Sequence, residues 1–91
     1  MALIVHFSPK GMNQEKYAEV LRQLSAKGAG SPPGRLHHAC YGDKGALKVT
    51  DVYDTPQNFE AFGKTLVPIL ASLDIDVGKP EVIEVHNIIR G

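Results

Sequence analysis

Histidine and aspartate residues on predicted strands are the side chains of this 91-residue sequence best suited to proton chemistry. An imidazole changes its charge near neutral pH, and a carboxylate beside it holds one imidazole tautomer in place. His6 is expected to lie opposite His86 on a neighbouring strand, and Asp51 is expected to approach His6 from the other side. His6, His86 and Asp51 are therefore the predicted catalytic residues, which would give and take protons.

Three more residues are expected to line the same cavity and to bind a substrate. His38 adds a third imidazole, Tyr53 adds a hydroxyl that would orient a substrate carbonyl, and Cys40 adds a thiol. Cys40 is interpreted as a small apolar filler rather than a nucleophile, because no flanking cation activates its thiol. The remaining histidine, His37, is expected to point to the opposite side of the sheet or to its edge.

Short segments with clear boundaries surround these residues and predict four strands and two helices. β-Forming residues predict strands over 3–8, 36–41, 46–53 and 82–89, with a short turn over 42–45. Apolar residues at helical spacing predict a first helix that begins after Asn13 and ends at Gly28. A second helix is predicted to begin at Thr55 and Pro56, a capping hydroxyl followed by a proline at the first helical position.

This order of elements predicts an α+β fold of the ferredoxin-like βαββαβ type, with residues 1–91 as a single domain. Right-handed crossovers give a four-stranded antiparallel sheet in the order last strand, first, third, second. Both helices are expected on one face of this sheet, which leaves the other face open.

The open face is expected to carry the polar residues together with an apolar patch. Alternation along the strands assigns it these residues: Ile4, His6, Leu36, His38, Cys40, Leu47, Val49, Asp51, Tyr53, Glu84, His86 and Ile88. Monomers rarely expose an apolar surface of this kind, and the same face of a second copy covers it most simply. A homodimer is therefore predicted, with a small-molecule pocket on the sheet.

Composition excludes several classes of protein. Lys and Arg together number 10, as do Asp and Glu, so the basic surplus typical of nucleic-acid binding is missing. The apolar runs are too short to cross a membrane, and the first residues do not resemble a secretory signal. A single cysteine cannot form an intrachain disulfide, so a reducing, cytoplasmic location is expected.

The strand–helix order and residues 51–62, DVYDTPQNFEAF, resemble the dimeric α+β barrel superfamily. In that superfamily, which includes antibiotic-biosynthesis-type monooxygenases and muconolactone isomerases, the third strand often ends in an aromatic residue. A polar turn and a helix with paired aromatics follow. Tyr53 stands where Trp is common, and Phe59 and Phe62 are the pair. The resemblance implies the dimeric barrel and carries over no catalytic residue, because members run unrelated reactions.

Three functions fit these residues. The first is a cofactor-independent oxygenase or isomerase that acts on an apolar, aromatic or enolisable molecule by His/Asp acid–base chemistry. The second is a non-catalytic dimer that binds a ligand or only closes its own core. The third is a metal-binding protein that uses His6, His86 and Asp51. Metal-ligand spacings such as His-x-His are missing, so no metal and no cofactor are predicted, and the sequence does not select a substrate.

Overall fold

The computed structural model describes residues 1–90, and its elements follow the predicted order. They are β1 (Leu3–Phe7), α1 (Gln14–Ala26), β2 (Arg35–Asp43), β3 (Ala46–Tyr53), α2 (Pro56–Ser72) and β4 (Glu81–Glu84). No helix within residues 1–90 is long and apolar enough to cross a membrane.

Polar caps set the beginning of both helices, as predicted. Asn13 Oδ1 accepts a hydrogen bond of 2.8 Å from the backbone N–H of Lys16. Thr55 Oγ1 accepts one of 3.2 Å from the backbone N–H of Asn58. Each bond satisfies a backbone donor that has no partner inside its helix. Gly28 follows the end of α1 with a φ of 71°, the left-handed conformation that suits glycine there.

The four strands form one antiparallel sheet in the order β2-β3-β1-β4, which confirms the ferredoxin-like prediction. Both helices pack on the face of the sheet that carries Leu3, Val5 and Phe7 of β1. The buried core between these layers comprises Leu3, Val5, Phe7, Met12, Val20, Leu24, Leu47, Val49, Tyr53, Phe62, Ile69, Leu70 and Ile75. We call this side the helix face and the other side the open face.

The predicted orientation of β3 is wrong. Asp51 pairs with Val5, and Tyr53 pairs with Leu3. Directly opposed residues of an antiparallel pair share a face, so Asp51 and Tyr53 lie on the helix face together with Leu47 and Val49. Thr50, with its neighbours Lys48 and Val52, lies on the open face instead.

A β-bulge corrects the predicted faces of β2. Arg35 pairs with Tyr53 and His38 pairs with Asp51, so Leu36 is an extra residue between Arg35 and His37. As a result, Arg35 and His38 both lie on the helix face although they are three residues apart. Cys40 follows His38 onto the helix face, and His37 turns to the open face.

The last strand is shorter than predicted. β4 ends at Glu84, which pairs with Leu3, the first residue of β1. His86 and Ile88 therefore follow the strand instead of belonging to it. His6 lies opposite Glu81, and the predicted pairing of His6 with His86 is wrong.

We predict that Gly34→Ala destabilises the fold. Gly34 has a φ of 81°, and an added Cβ would lie 2.3 Å from Asp54 Oδ1 and 2.4 Å from Asn58 Nδ2. The left-handed backbone alone costs a residue with a side chain about 1–2 kcal/mol. Urea unfolding at one protein concentration should show a lower midpoint.

Gly63→Ala is the matched control. Gly63 lies inside α2 with no atom near an added Cβ, so its replacement should raise the free energy of unfolding by about 0.5–1 kcal/mol. A Gly34→Ala protein as stable as wild type would contradict the predicted strain at the start of β2.

Candidate functional site

Four side chains form a hydrogen-bonded chain between the sheet and α1. The Tyr17 hydroxyl lies 2.6 Å from His38 Nε2, and His38 Nδ1 lies 2.5 Å from Asp51 Oδ1. The Tyr53 hydroxyl donates to Asp51 Oδ2 at 3.4 Å. An ionised carboxylate only accepts hydrogen bonds, so His38 Nδ1 carries a proton and donates to Asp51. The other ring nitrogen, Nε2, points away from the carboxylate and toward the Tyr17 hydroxyl.

The fold places these groups by strand pairing and by the spacing of α1. His38 and Asp51 are directly opposed residues of β2 and β3. Tyr17 lies three residues before Val20 on the buried side of α1, which brings its hydroxyl to the imidazole. The two rings are parallel to within 5°, with centroids 6.0 Å apart. The site therefore depends on three elements that meet in the core.

Burial differs along the chain of hydrogen bonds. Asp51 is 3% exposed and Tyr53 is fully buried, whereas the His38 side chain is 22% exposed. A carboxylate buried among apolar groups needs partners for both oxygens, and His38 and Tyr53 supply them. Every buried side-chain nitrogen and oxygen in residues 1–90 has a hydrogen-bond partner. The imidazole is thus more exposed than the carboxylate to which it is hydrogen-bonded and than the Tyr53 ring.

The phenols and the thiol around His38 stay protonated at neutral pH. Burial is the main cause that raises the pKa of Tyr17, and Cys40 and Asp51 raise it further, against the charge of Arg35. Burial also raises the pKa of Tyr53, and the Asp51 carboxylate adds to the rise. Burial raises the pKa of the Cys40 thiol as well. Tyr17 and Tyr53 are therefore hydrogen-bond donors, and Cys40 is not activated as a nucleophile.

A cleft adjoins this chain of side chains. Its volume is about 60 Å³. Leu21, which is 43% exposed, lies at the mouth. Most of the wall is apolar, and the polar lining residues are Tyr17, Arg35, His38 and Asp51.

The structure brings together three of the six predicted site residues: His38, Asp51 and Tyr53. Cys40 lies on the same face and packs against the core. The predicted shared cavity on the open face is not formed, because the β3 register and the β2 bulge carry these residues to the helix face. Their catalytic and substrate-binding roles were predicted for a cavity on the open face, whereas the residues lie on the helix face.

His6 and His86 lie apart from this group. His6 is on the open face, where its Nδ1 lies 2.8 Å from the Tyr41 hydroxyl and 3.1 Å from Thr50 Oγ1. His86 follows β4 and is exposed. The sheet separates His6 from Asp51, so the predicted set of His6, His86 and Asp51 cannot hold one metal ion or relay one proton. Within residues 1–90, no three His, Cys, Asp or Glu side chains cluster as a metal site.

Two residues of the site, Tyr17 and Arg35, were not predicted as functional. The spacing of Tyr17 matches the apolar stripe of α1, which assigns it to the core. Its hydroxyl could have indicated a place in a polar site, because a buried tyrosine usually needs a polar partner for its O–H. Arg35 reaches the helix face because of the bulge at Leu36, and nothing in the residue types of β2 marks that bulge.

Solved structures share this fold across nearly the whole chain. SnoaB from Streptomyces nogalater, a cofactor-independent oxygenase, is 16% identical with a TM-score of 0.60, over 99% of this chain and 96% of its own. A candidate antibiotic biosynthesis monooxygenase from Caulobacter crescentus is 16% identical with a TM-score of 0.58, over 97% and 89%. Another, from Chloroflexus aurantiacus, is 21% identical with a TM-score of 0.56, over 99% and 97%.

No protein-family model matches the sequence, and a search of curated proteins gives no match. At these identities the likeness is one of fold. The ferredoxin-like fold implied by the resemblance to the dimeric α+β barrel superfamily is confirmed, because these structures share it.

We predict that Asp51→Ala is strongly destabilising. It leaves the His38 Nδ1–H and the buried Tyr53 hydroxyl without an acceptor, and each such loss costs about 1–3 kcal/mol. Urea unfolding should show the loss directly. Asp43→Ala, at the exposed end of β2, is the control and should change stability by less than about 0.5 kcal/mol. Equal effects of the two substitutions would show that the carboxylate does not organise the core.

Proposed function

We propose that the chain is a small acid–base enzyme in which His38 removes a proton from an apolar, enolisable ligand bound in the cleft. The observation that supports this most is the 2.5 Å contact between His38 Nδ1 and Asp51, in a histidine that lines the cleft. A histidine oriented by a carboxylate is a general base that works near neutral pH, and such bases accelerate reactions about 10²–10⁴-fold.

Each polar group of the chain has a role in this proposal. Asp51 holds the proton on Nδ1, so that Nε2 remains free to accept one. The Tyr17 hydroxyl, which donates to Nε2 in the ligand-free protein, turns to the carbonyl oxygen of the ligand. Nε2 then takes the proton from the carbon next to that carbonyl, and an enolate forms. The positive charge on His38 is balanced by the Asp51 carboxylate beside it.

Two outcomes of the enolate are compatible with the atoms present. Return of the proton to a different carbon is an isomerisation. Attack of the enolate carbon on dioxygen, with the proton on His38 passed to the distal oxygen, gives a hydroperoxide. The carbon that lost the proton is a CH₂ group in the ligand, and loss of water from the hydroperoxide converts it to a carbonyl. One oxygen atom of dioxygen thus enters the product, the other leaves as water, and no external reductant is needed. The fold shared with a cofactor-independent oxygenase favours this second outcome.

The small enclosed volume favours a second candidate, a non-catalytic dimer. In this case the chain of hydrogen bonds from Tyr17 to Tyr53 only satisfies a buried carboxylate, and the cleft holds no substrate. The two candidates differ in one measurable property, the ability of His38 to exchange protons with a carbon acid.

The test is deuterium exchange into 2-indanone, an aromatic ketone with acidic C–H groups, followed by ¹H NMR. We predict that the wild-type protein exchanges these protons faster than buffer and that His38→Gln lowers the protein-dependent rate at least about tenfold. His37→Gln is the matched control, because His37 lies on the opposite face of the sheet, and it should keep the wild-type rate. An unchanged rate in His38→Gln, or no exchange above buffer in wild type, would favour the non-catalytic candidate.

We also propose that the protein is a homodimer joined through the open face. The apolar residues there differ from the predicted set, because Leu47, Val49 and Tyr53 belong to the core. Those that now support the proposal are Ile4, Leu36, Val52, Ile83, Val85 and Ile88, which lie on or beside the open face. Several are well exposed in the single chain, and the matching face of a second copy would cover them.

Sedimentation velocity at micromolar concentration tests the dimer. Wild type should sediment with twice the 9.9 kDa mass of one chain. Val52→Asp should give monomer, because it would place an unpaired charge in the interface. Val67→Asp makes the same change at a 51% exposed valine of α2 and should stay dimeric. A stable wild-type monomer would overturn the proposal.

A further inference from the structure

Arg35 is a cation on the wall of the cleft. It is the first residue of β2, and the bulge at Leu36 turns it to the helix face, the same side as His38. Its guanidinium carbon lies 5.8 Å from the centre of the Phe62 ring, a cation–π contact that holds the group against α2. The guanidinium and the imidazole therefore line one cleft from neighbouring positions on one strand.

No carboxylate in residues 1–90 forms an ion pair with Arg35. The carboxylate on the same cleft wall, Asp51, has its two oxygens hydrogen-bonded to His38 and Tyr53. Arg35 donates one hydrogen bond, of 2.9 Å, to the backbone carbonyl of Gly30. A guanidinium has five N–H donors in a planar fork that matches two oxygens of one ligand group. Within residues 1–90 the bond to Gly30 is the one hydrogen bond of this side chain, and Arg35 lines the cleft.

We propose that Arg35 is an anion-binding residue and that the cleft takes an aromatic molecule bearing an anionic oxygen. The ring would lie against the apolar wall near Phe62, and the oxygen would contact the guanidinium. The inference deepens the proposed function, on which it rests in one respect: proton removal by His38 creates negative charge on a ligand oxygen. Arg35 is the cation placed to stabilise that charge in the enolate.

The electrostatics of the cleft agree with this role. The charge of Arg35 lowers the pKa of both Tyr17 and Tyr53 against the stronger effect of burial, so its field reaches the groups around His38. Charges interact more strongly in a partly desolvated cleft than in water. Asp51 would repel an anion, and the protonation of His38 offsets that repulsion as the enolate forms. A permanently anionic ligand should therefore bind better than its neutral isostere.

The experiment compares benzoate with benzamide, which have the same shape and differ in charge, by NMR titration of the ¹⁵N-labelled protein. Wild type should bind benzoate at least about tenfold more tightly, as expected for a charge-assisted guanidinium–carboxylate pair. Arg35→Met keeps an unbranched apolar chain near Phe62 and should remove that preference. Arg22→Met is the control, because Arg22 pairs with Glu19 on the outer side of α1, and it should keep the preference.

The spectra also report whether each variant is folded. If Arg35→Met does not fold, Arg35→Lys replaces it: this variant keeps the charge without the planar fork, so the preference should fall but not vanish. Added sodium chloride should then weaken the binding of benzoate and leave the binding of benzamide unchanged. A preference for benzoate that survives in Arg35→Met, or in Arg35→Lys at full strength, would overturn the proposal. Failure of wild type to prefer benzoate would overturn it as well.

The outcome separates this proposal from the assignment of His38. Loss of the benzoate preference in the Arg35 variant, together with no exchange of 2-indanone by wild type, would support the anion site and reject the general base. Exchange that depends on His38, combined with a benzoate preference that does not depend on Arg35, would support the base and reject the anion site.

Discussion

The buried carboxylate of Asp51 is the constraint on which the rest of the structure depends. A charge in an apolar core is tolerated only when both oxygens are hydrogen-bonded, so the protein must bring an N–H and an O–H to this point. His38 provides the first and Tyr53 the second. Satisfying Asp51 thereby requires an imidazole opposite it on β2 and a proton on the imidazole nitrogen that faces the carboxylate. In the function proposed above, the same requirement that stabilises the core also prepares the base beside the cleft.

The two faces of the sheet consequently have different chemistry. The helix face encloses a polar chain within apolar surroundings, where hydrogen bonds and charges are strengthened by the low dielectric. The open face groups His6 with Tyr41 and Thr50 near one end and leaves apolar residues near the other. One face can serve ligand chemistry while the other serves association. Alternation along each strand keeps the two roles on separate residues.

Local signals predicted the order of the elements, and long-range pairing decided the site. Asn13 and Thr55 cap helices because their side chains reach backbone donors within the same turn, which sequence alone reveals. Which residues of β3 face the helices could not be predicted, because both alternating sets of the strand contain apolar residues. Only the pairing of β3 with β1 distinguishes the two sets. The bulge at Leu36 was equally hidden, because it depends on how β2 meets β3. The β3 register and the β2 bulge together place the candidate site. The sequence therefore predicted several of its residues but not the face of the sheet on which they lie.

The adjacent histidines His37 and His38 give β2 an ambiguity of register. A slip of one residue along β3 would present His37 to Asp51, so an imidazole would still meet the carboxylate. The slip would nevertheless bring Ala39 and the bulky Tyr41 to the helix face in place of Cys40 and Gly42. The tight turn between Asp43 and Ala46 is what prevents it. The length of that turn, far from the cleft, therefore decides which imidazole faces the core, and an insertion there would exchange the two without altering either histidine.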